Sequence, residues 1–89
     1  MRSVAVSASG AVACDSYWGF SLRETSGSAS AKVIIHKGTD NTGTALDVVN
    51  LTANESAREV WSVAESVGPL RSLYVEVVSG AVSGNVKVG

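Results

Sequence analysis

The 89-residue chain contains one cysteine, one proline and one histidine. A single cysteine can build neither a disulfide framework within the chain nor a cysteine-based zinc site. Charged residues make up only 17% of the sequence, and the net charge is −1, so the chain lacks the basic footprint of a nucleic-acid-binding domain. No apolar run approaches the roughly 20 residues that cross a membrane as a helix. The N-terminal apolar run is interrupted by serine, which is not typical of a signal peptide.

The residues that are abundant are valine, serine, alanine and glycine, which together fill 49 of the 89 positions. They form short alternating runs separated by Gly, Ser, Asn and Asp, which is the pattern of strands and tight turns. The regular spacing of these runs predicts an all-β protein with about seven to eight strands. We expect an antiparallel β-sandwich or a small barrel, with jelly-roll or Ig-like topology.

Alternation within the runs predicts which side chains face the core. In the first long strand, Trp18, Phe20 and Leu22 share one parity and are expected to point inward. A change of parity within the strand over residues 44–52 predicts a bulge or kink near Val48–Val49. The segment 54–65 opens like a helix N-terminus, but its later alternation favours a strand after a short turn.

The length fits a single domain, in which we distinguish residues 1–16 as an N-terminal strand or arm and residues 17–89 as the β-sandwich. Alanine and valine bury little area each, so the core is thin for a chain without disulfides. Such a core is commonly supplemented by oligomerisation or by docking on a larger surface. An N-terminal arm carrying Val4 and Val6 could reach a neighbouring subunit.

The reactive side chains do not form a recognisable catalytic or metal-binding pattern. His36 is expected to be a surface-facing strand residue, and no Gly-x-Ser-x-Gly elbow accompanies it. Cys14 is followed by the acidic Asp15 and is expected to be a small buried thiol and not an activated nucleophile. The polar loop around Asp40 has a single carboxylate and does not match a calcium loop. We therefore expect no enzyme activity, no cofactor and no metal.

Several large side chains are candidates for contacts with a partner. Tyr17 and Tyr74 occupy the outward parity of their strands, and Val78 is an apolar residue on the otherwise polar face of the same strand as Tyr74. Trp61 is expected in the core or at an interface. Together with the two N-terminal valines, the predicted interface residues are Val4, Val6, Tyr17, Trp61, Tyr74 and Val78.

Five stretches of the chain share a pattern of strand and turn residues: Trp18–Ala29, Lys32–Thr39, Thr42–Asp47, Leu51–Ser56 and Leu73–Val86. Through this pattern the chain resembles, over residues 17–88, small virion proteins of tailed bacteriophages, especially those of actinobacterial hosts. The resemblance does not lie in a catalytic signature, and it implies a small β-sandwich in a phage particle, on the capsid exterior as a decoration protein or in the tail. No functional residues carry over from it.

Three functional hypotheses follow, of which the first is a virion structural protein that binds and stabilises a phage capsid. Its expected partners are the major capsid protein and copies of itself, with no nucleic acid and no membrane. The second is a tail- or fibre-associated module that binds a glycan or receptor. The third, an enzyme, would need a pocket that joins His36 to an Asp and a Ser. The residues expected to serve the second hypothesis are Tyr17, Tyr74, Asp40, Asn41 and Asn54.

Overall fold

A computed structural model describes all 89 residues, and it contains eight strands and no helix that could cross a membrane. The strands are β1 (Arg2–Val6), β2 (Gly10–Ala13), β3 (Ser16–Glu24), β4 (Ala31–Lys37), β5 (Ala45–Leu51), β6 (Ser56–Ser66), β7 (Ser72–Ser79) and β8 (Val82–Val88). The prediction of an all-β antiparallel sandwich is therefore confirmed, and so is the choice of a strand over a helix in the segment 54–65.

The strands form two four-stranded antiparallel sheets, in the order β1-β8-β3-β6 (sheet A) and β2-β7-β4-β5 (sheet B). Within them β1 pairs with β8, β2 with β7, β3 with β6 and β4 with β5. This is the pairing of a folded-over ribbon in which the first strand meets the last and each inner pair follows in turn. Two sheets connected in this way make a jelly roll, one of the two topologies that the sequence predicted.

The core lies between the sheets and consists mainly of alternate residues of each strand, as strand geometry requires. Sheet B contributes Val33, Ile35, Leu73 and Val75, all of which are almost completely buried. Sixteen buried side chains form one hydrophobic cluster. Valine is the commonest residue in it, and Tyr17 and Phe20 are its only aromatic members. The core is therefore continuous, but each of its small side chains buries little apolar area.

A β-bulge in β3 changes the predicted inward face of that strand. The register shifts between Tyr17 and Gly19 against both neighbouring strands, and Trp18 is the extra residue relative to β8. A bulge reverses the alternation beyond it, and Tyr17 and Phe20 consequently both point inward. Trp18 is half-buried instead of lying in the core, which corrects the prediction for it. Gly19 adopts φ +140, and a Cβ there would lie 1.9 Å from the carbonyl oxygen of Glu59, so only glycine fits the bulge.

The N-terminal residues are part of the sandwich and not an arm that leaves it. β1 forms an edge of sheet A through five residue pairs with β8, and β2 forms an edge of sheet B through four pairs with β7. Val6 is buried, and Val4 packs against the core. Of the two possibilities for residues 1–16, the structure shows strands, because the valines on one parity complete the core at that end.

β6 is the other edge of sheet A and carries a wide irregularity. Val60 lies opposite Gly19 and Glu65 lies opposite Tyr17, so four residues, 61–64, face the single residue Trp18. A smaller bulge occurs in β5, where the register with β4 passes from Asp47 directly to Ala45. The extra residue there is Leu46, so the bulge predicted near Val48–Val49 lies two residues earlier.

Glu24 ties the end of β3 to two neighbouring loops. Its carboxylate is fully buried and accepts hydrogen bonds from the backbone N–H groups of Ser26 (2.9 Å), Gly27 (2.7 Å) and Asn54 (3.2 Å). Burial alone would raise the pKa of Glu24, but the hydrogen bonds from these three residues outweigh it and bring the pKa to about 2. The carboxylate is therefore charged in the folded protein and organises the β3–β4 and β5–β6 connections around itself.

Candidate functional site

The outer face of sheet B carries more apolar side chains than a solvated sheet face needs. Ile34 of β4 lies opposite Val48 of β5 and Glu76 of β7, and Tyr74 lies next along β7. Val48 is 49% exposed and Val78 is 48% exposed, while Ile34 and Tyr74 are half-buried. These four apolar residues, Ile34, Val48, Tyr74 and Val78, form what we call the sheet B patch.

The outer face of sheet A has a different composition. One row across the four strands holds Ala5, Asn85, Ser21 and Arg58, and the next holds Ser3, Lys87, Gly19 and Val60. Arg23 is exposed and Lys87 is half-buried on the same face. An antiparallel sheet with one solvated face has this alternation of apolar residues inside and polar residues outside. Sheet A follows the rule except at Val60, which is 36% exposed, whereas sheet B departs from it at the four residues of the sheet B patch.

His36 lies beside the sheet B patch and is buried, in contrast to the prediction of a surface-facing residue. Only 6% of it is exposed, because the β4–β5 loop folds over it. Nδ1 lies 3.0 Å from the carbonyl oxygen of Gly43, and Nε2 lies 2.9 Å from Oε1 of Glu76. Both partners are hydrogen-bond acceptors, so each ring nitrogen of His36 faces an oxygen atom. The hydrogen bond from His36 holds the pKa of Glu76 below its usual range.

The same network connects the sheet B patch to the β4–β5 loop. The Asn41 side-chain amide donates to the second carboxylate oxygen of Glu76 at 3.5 Å, and the rings of His36 and Tyr74 lie 6.4 Å apart. Asp40 accepts hydrogen bonds from both the backbone N–H and the hydroxyl of Thr42. The Asp40 carboxylate is thus engaged in the turn of its own loop. No group of three or more His, Cys, Asp or Glu side chains lies close enough together to hold a metal ion.

A second feature lies where the edge strands β5 and β6 leave the side of the sandwich open. The open side contains a cleft of about 410 Å³, lined by Ala45 and Leu46 of β5 and by Trp61, Val63 and Glu65 of β6. Val63 is 77% exposed. The lining residues of β6 alternate, so one face of that strand points into the cleft. We call this feature the β5–β6 cleft.

Tyr17 lies beneath the β5–β6 cleft and links the two sheets. Its hydroxyl donates to Oδ2 of Asp47 at 3.2 Å, and its ring packs edge-on against Trp61 with 5.2 Å between ring centroids. Burial and the nearby Asp47 charge raise the pKa of Tyr17 well above its usual range. Burial raises the pKa of Asp47; the hydrogen bond from Tyr17 opposes this rise, and the charge of Glu59 adds to it.

The structure divides the six predicted interface residues into three groups. Tyr74 and Val78 lie on the outer face of sheet B, as the alternation predicted, and Val78 is the extra residue of a bulge between Val77 and Ser79. Trp61 packs against the core and also lines the β5–β6 cleft. Of the remaining three, Tyr17 and Val6 are buried and Val4 is half-buried.

Of these three, Tyr17 is completely buried, because the β3 bulge turns it inward. Val6 is buried because β1 belongs to sheet A, and Val4 packs against the core for the same reason. The structure therefore does not bring the six residues together in one surface. It places two of them in the sheet B patch and one in the β5–β6 cleft.

Sequence reasoning missed three of the residues that complete these surfaces. Val48 and Ile34 carry a signal in hindsight, since both stand on the parity opposite to buried neighbours in their strands. Val63 has no such signal, because its exposure depends on the four residues of β6 that bulge past Trp18.

Cys14 is buried, as predicted, and burial raises the pKa of its thiol. A raised pKa keeps the sulfur in the protonated, poorly nucleophilic form. His36 is held by Gly43 and Glu76, and neither contact is to a serine or cysteine side chain.

No family model, curated protein or solved structure matches this chain.

Proposed function

We propose that this chain is a structural protein of a phage virion that decorates the capsid exterior by binding the major capsid protein and copies of itself. The observation that carries the proposal is the difference between the two outer faces. Sheet A presents mainly serines and bases to solvent, with Val60 as its exposed large apolar residue, whereas sheet B presents Ile34, Val48, Tyr74 and Val78. An apolar group of this kind on one face of a small domain is characteristic of a surface that a partner covers.

Two further features support a role in a particle. Eight-stranded jelly rolls are a recurring fold of viral capsid proteins, although they also occur in lectins and cupins, so the fold supports the proposal without fixing it. The strand-and-turn pattern over residues 17–88 resembles small virion proteins of tailed phages. The proposed role is binding and not catalysis, which fits the structural contacts of His36 and the burial of Cys14.

A decoration protein needs only a modest contact for each copy. Four apolar side chains, two of them already half-buried, supply little binding free energy by themselves because association also costs translational and rotational freedom. When many copies bind a lattice and also contact one another, the effective concentration of each contact rises. Contacts that are weak for one copy then hold many copies stably on the capsid. A small domain with a thin core is therefore sufficient for this role.

The proposal is tested by co-sedimentation of the purified chain with capsids that lack it. The double variant Val48→Lys/Val78→Lys places two charges in the sheet B patch and is expected to abolish binding. The matched control, Ser3→Lys/Ser83→Lys, places the same two charges at exposed positions of sheet A and is expected to bind as the parent does. Equal binding by both variants, or loss of binding only with the sheet A variant, would refute the proposed docking face.

A glycan- or receptor-binding module of a tail or fibre is the second candidate, and the position of Tyr74 favours it. Tyr74 is half-buried on an outer face, next to the loop that Asn41 fixes to Glu76. A partly exposed aromatic ring beside polar loop groups is able to stack on a sugar. Tyr17, however, is buried and unable to take part. Binding of the isolated chain on a glycan array, lost in Tyr74→Ala, would favour this role over decoration.

A further inference from the structure

The two edges of sheet A have side-chain rows that complement one another. β1 and β6 are its terminal strands, so each has one side of its backbone without a partner strand. A free sheet edge is a template for pairing with another chain. In β6 the residues that point toward the open side of the sandwich are Glu59, which lies opposite the buried Phe20, and the three cleft residues Trp61, Val63 and Glu65.

The corresponding row of β1 is Arg2, Val4 and Val6. Val4 and Val6 point inward, as their contacts with the core show, whereas Ser3 and Ala5 are exposed on the outer face. Arg2 continues the inward row and lines the opening between β1 and β2. Its guanidinium donates one hydrogen bond to the carbonyl oxygen of Ala13, and this leaves other N–H groups of the five free.

We infer that this chain associates with a second copy head to tail, with β1 of one copy added to β6 of the next so that sheet A continues across the junction. The strands of sheet A alternate in direction, and a second copy in the same orientation brings its β1 antiparallel to β6. One register then places Arg2 opposite Glu65, Val4 opposite Val63 and Val6 opposite Trp61. Residues directly opposite one another in a sheet share a face, and all three pairs meet this requirement.

Charge selects this pairing over the symmetric alternatives. The cleft-facing row of β6 carries carboxylates at both ends and no base, and charges that point inward from an edge strand oppose indiscriminate pairing. Two β6 strands paired about a two-fold axis at residue 62 would set Glu59 opposite Glu65 at both ends of the contact, and two β1 strands paired about Val4 would set each Arg2 opposite Val6 and leave it without an acid. The pairing of β1 with β6 sets one base opposite one acid, and it places the exposed Val63 next to an apolar side chain.

A head-to-tail contact uses two different surfaces and leaves one of each free at the ends. Such contacts form a ring when the rotation closes and a filament when it does not. The inference rests on the proposed structural role for its biological setting, because a lattice-bound protein gains from contact between copies. Its test, however, uses the purified chain alone and does not depend on capsids.

The experiment is sedimentation equilibrium of the purified full chain over a wide concentration range. The parent chain is expected to self-associate, and Arg2→Glu or Glu65→Arg alone is expected to raise the dissociation constant about tenfold, because each places like charges opposite one another. The charge-exchanged double variant Arg2→Glu/Glu65→Arg is expected to return to within about threefold of the parent. Arg23→Glu, on the outer face of sheet A, is the control and is expected to have no effect.

Three results would overturn the inference. The first is a parent chain that remains monomeric at millimolar concentration. The second is a double variant that associates no better than the single variants. The third is association that responds to Glu65→Arg but not to Arg2→Glu, which would indicate pairing of β6 with itself. Circular dichroism of each variant establishes that it folds. Self-association without capsid binding would refute the proposed function alone, and capsid binding by a monomer would refute this inference alone.

Discussion

The two sheets of this sandwich bury similar inner faces but present different outer faces. On sheet A the outward positions hold mainly serines, Asn85 and three bases, with Val60 as the exposed large apolar residue, whereas on sheet B they include Ile34, Val48, Tyr74 and Val78. Both inner faces are apolar because together they form the hydrophobic core. The outer apolar side chains of sheet B gain little from folding of the single chain, since they remain partly in water. Their presence is better explained by a partner than by the stability of the fold.

The largest expected effect is on an inward residue of sheet B. Ile35 is completely buried in the core, and Ile35→Ala is expected to lower the free energy of unfolding by about 2–5 kcal/mol, because it removes buried methyl groups and leaves a cavity. Urea denaturation followed by tryptophan fluorescence measures this change. A loss no greater than that of an outward variant on the same sheet would contradict the assignment of inner and outer faces.

The next effect distinguishes the buried carboxylate of sheet A from an exposed one. The pKa of Glu24 is lowered from 4.5 to about 2, so the folded chain binds this proton more weakly than the unfolded chain does. The resulting stability is fully present above about pH 4.5 and is lost as the pH falls toward 2. Glu24→Gln is expected to lower stability at pH 7 and to flatten the dependence on pH in this range, measured by denaturation at several pH values. Glu65→Gln, at an exposed position, controls for the lost charge and is expected to lower stability at pH 7 by less than Glu24→Gln does.

A smaller effect concerns the contact that joins the two sheets at the β5–β6 side. Tyr17→Phe removes the hydroxyl that donates to Asp47 and leaves a half-buried carboxylate without that donor, so it is expected to cost about 1.5 kcal/mol. Thermal and chemical denaturation measure the change. Tyr74→Phe makes the same substitution on the outer face and is expected to stay within about 0.5 kcal/mol of the parent. Equal losses in the two variants would show that the sheets are not joined through Tyr17.

The smallest expected effect is on the exposed apolar residues of the outer face of sheet B. Val78→Ser and Val48→Ser alter the exposed apolar residues of sheet B, and each is expected to change the free energy of unfolding of the single chain by no more than about 0.5 kcal/mol. Denaturation of the purified monomeric variants measures this. A loss of several kcal/mol would mean that the outer apolar residues stabilise the fold itself, and the argument for a partner would lose its basis.

Much of the fold followed from alternation and turn residues. The inward row of Val33 and Ile35 in β4 and the outward row of Tyr74 and Val78 in β7 obey the period of two that strand geometry imposes. The strand over 56–66 followed from the same rule, even though Asn54 resembles a helix cap. These features depend on neighbours in the sequence, which is why the sequence alone predicts them.

The errors occur where one extra residue or one loop changes the surroundings of a side chain. The bulge at Trp18 reverses the parity of β3 and exchanges the roles of Trp18 and Tyr17. Gly19 occupies the bulge and is the only local sign of it. His36 is buried by a loop that follows it by several residues, and the exposure of Val63 depends on the partner strand of β6. These outcomes depend on residues distant in the sequence, so alternation within one strand cannot supply them.

The central claim is that a partner covers the outer face of sheet B and leaves sheet A exposed. Cysteine labelling tests it most directly, with Val78→Cys or Ser83→Cys introduced in a Cys14→Ser background and each chain labelled both free and bound to capsids. We expect Val78→Cys to label readily in the free chain and to be protected on the particle, while Ser83→Cys labels equally in both states. Protection of Ser83→Cys with continued labelling of Val78→Cys, or equal labelling at both positions on the particle, would contradict the claim.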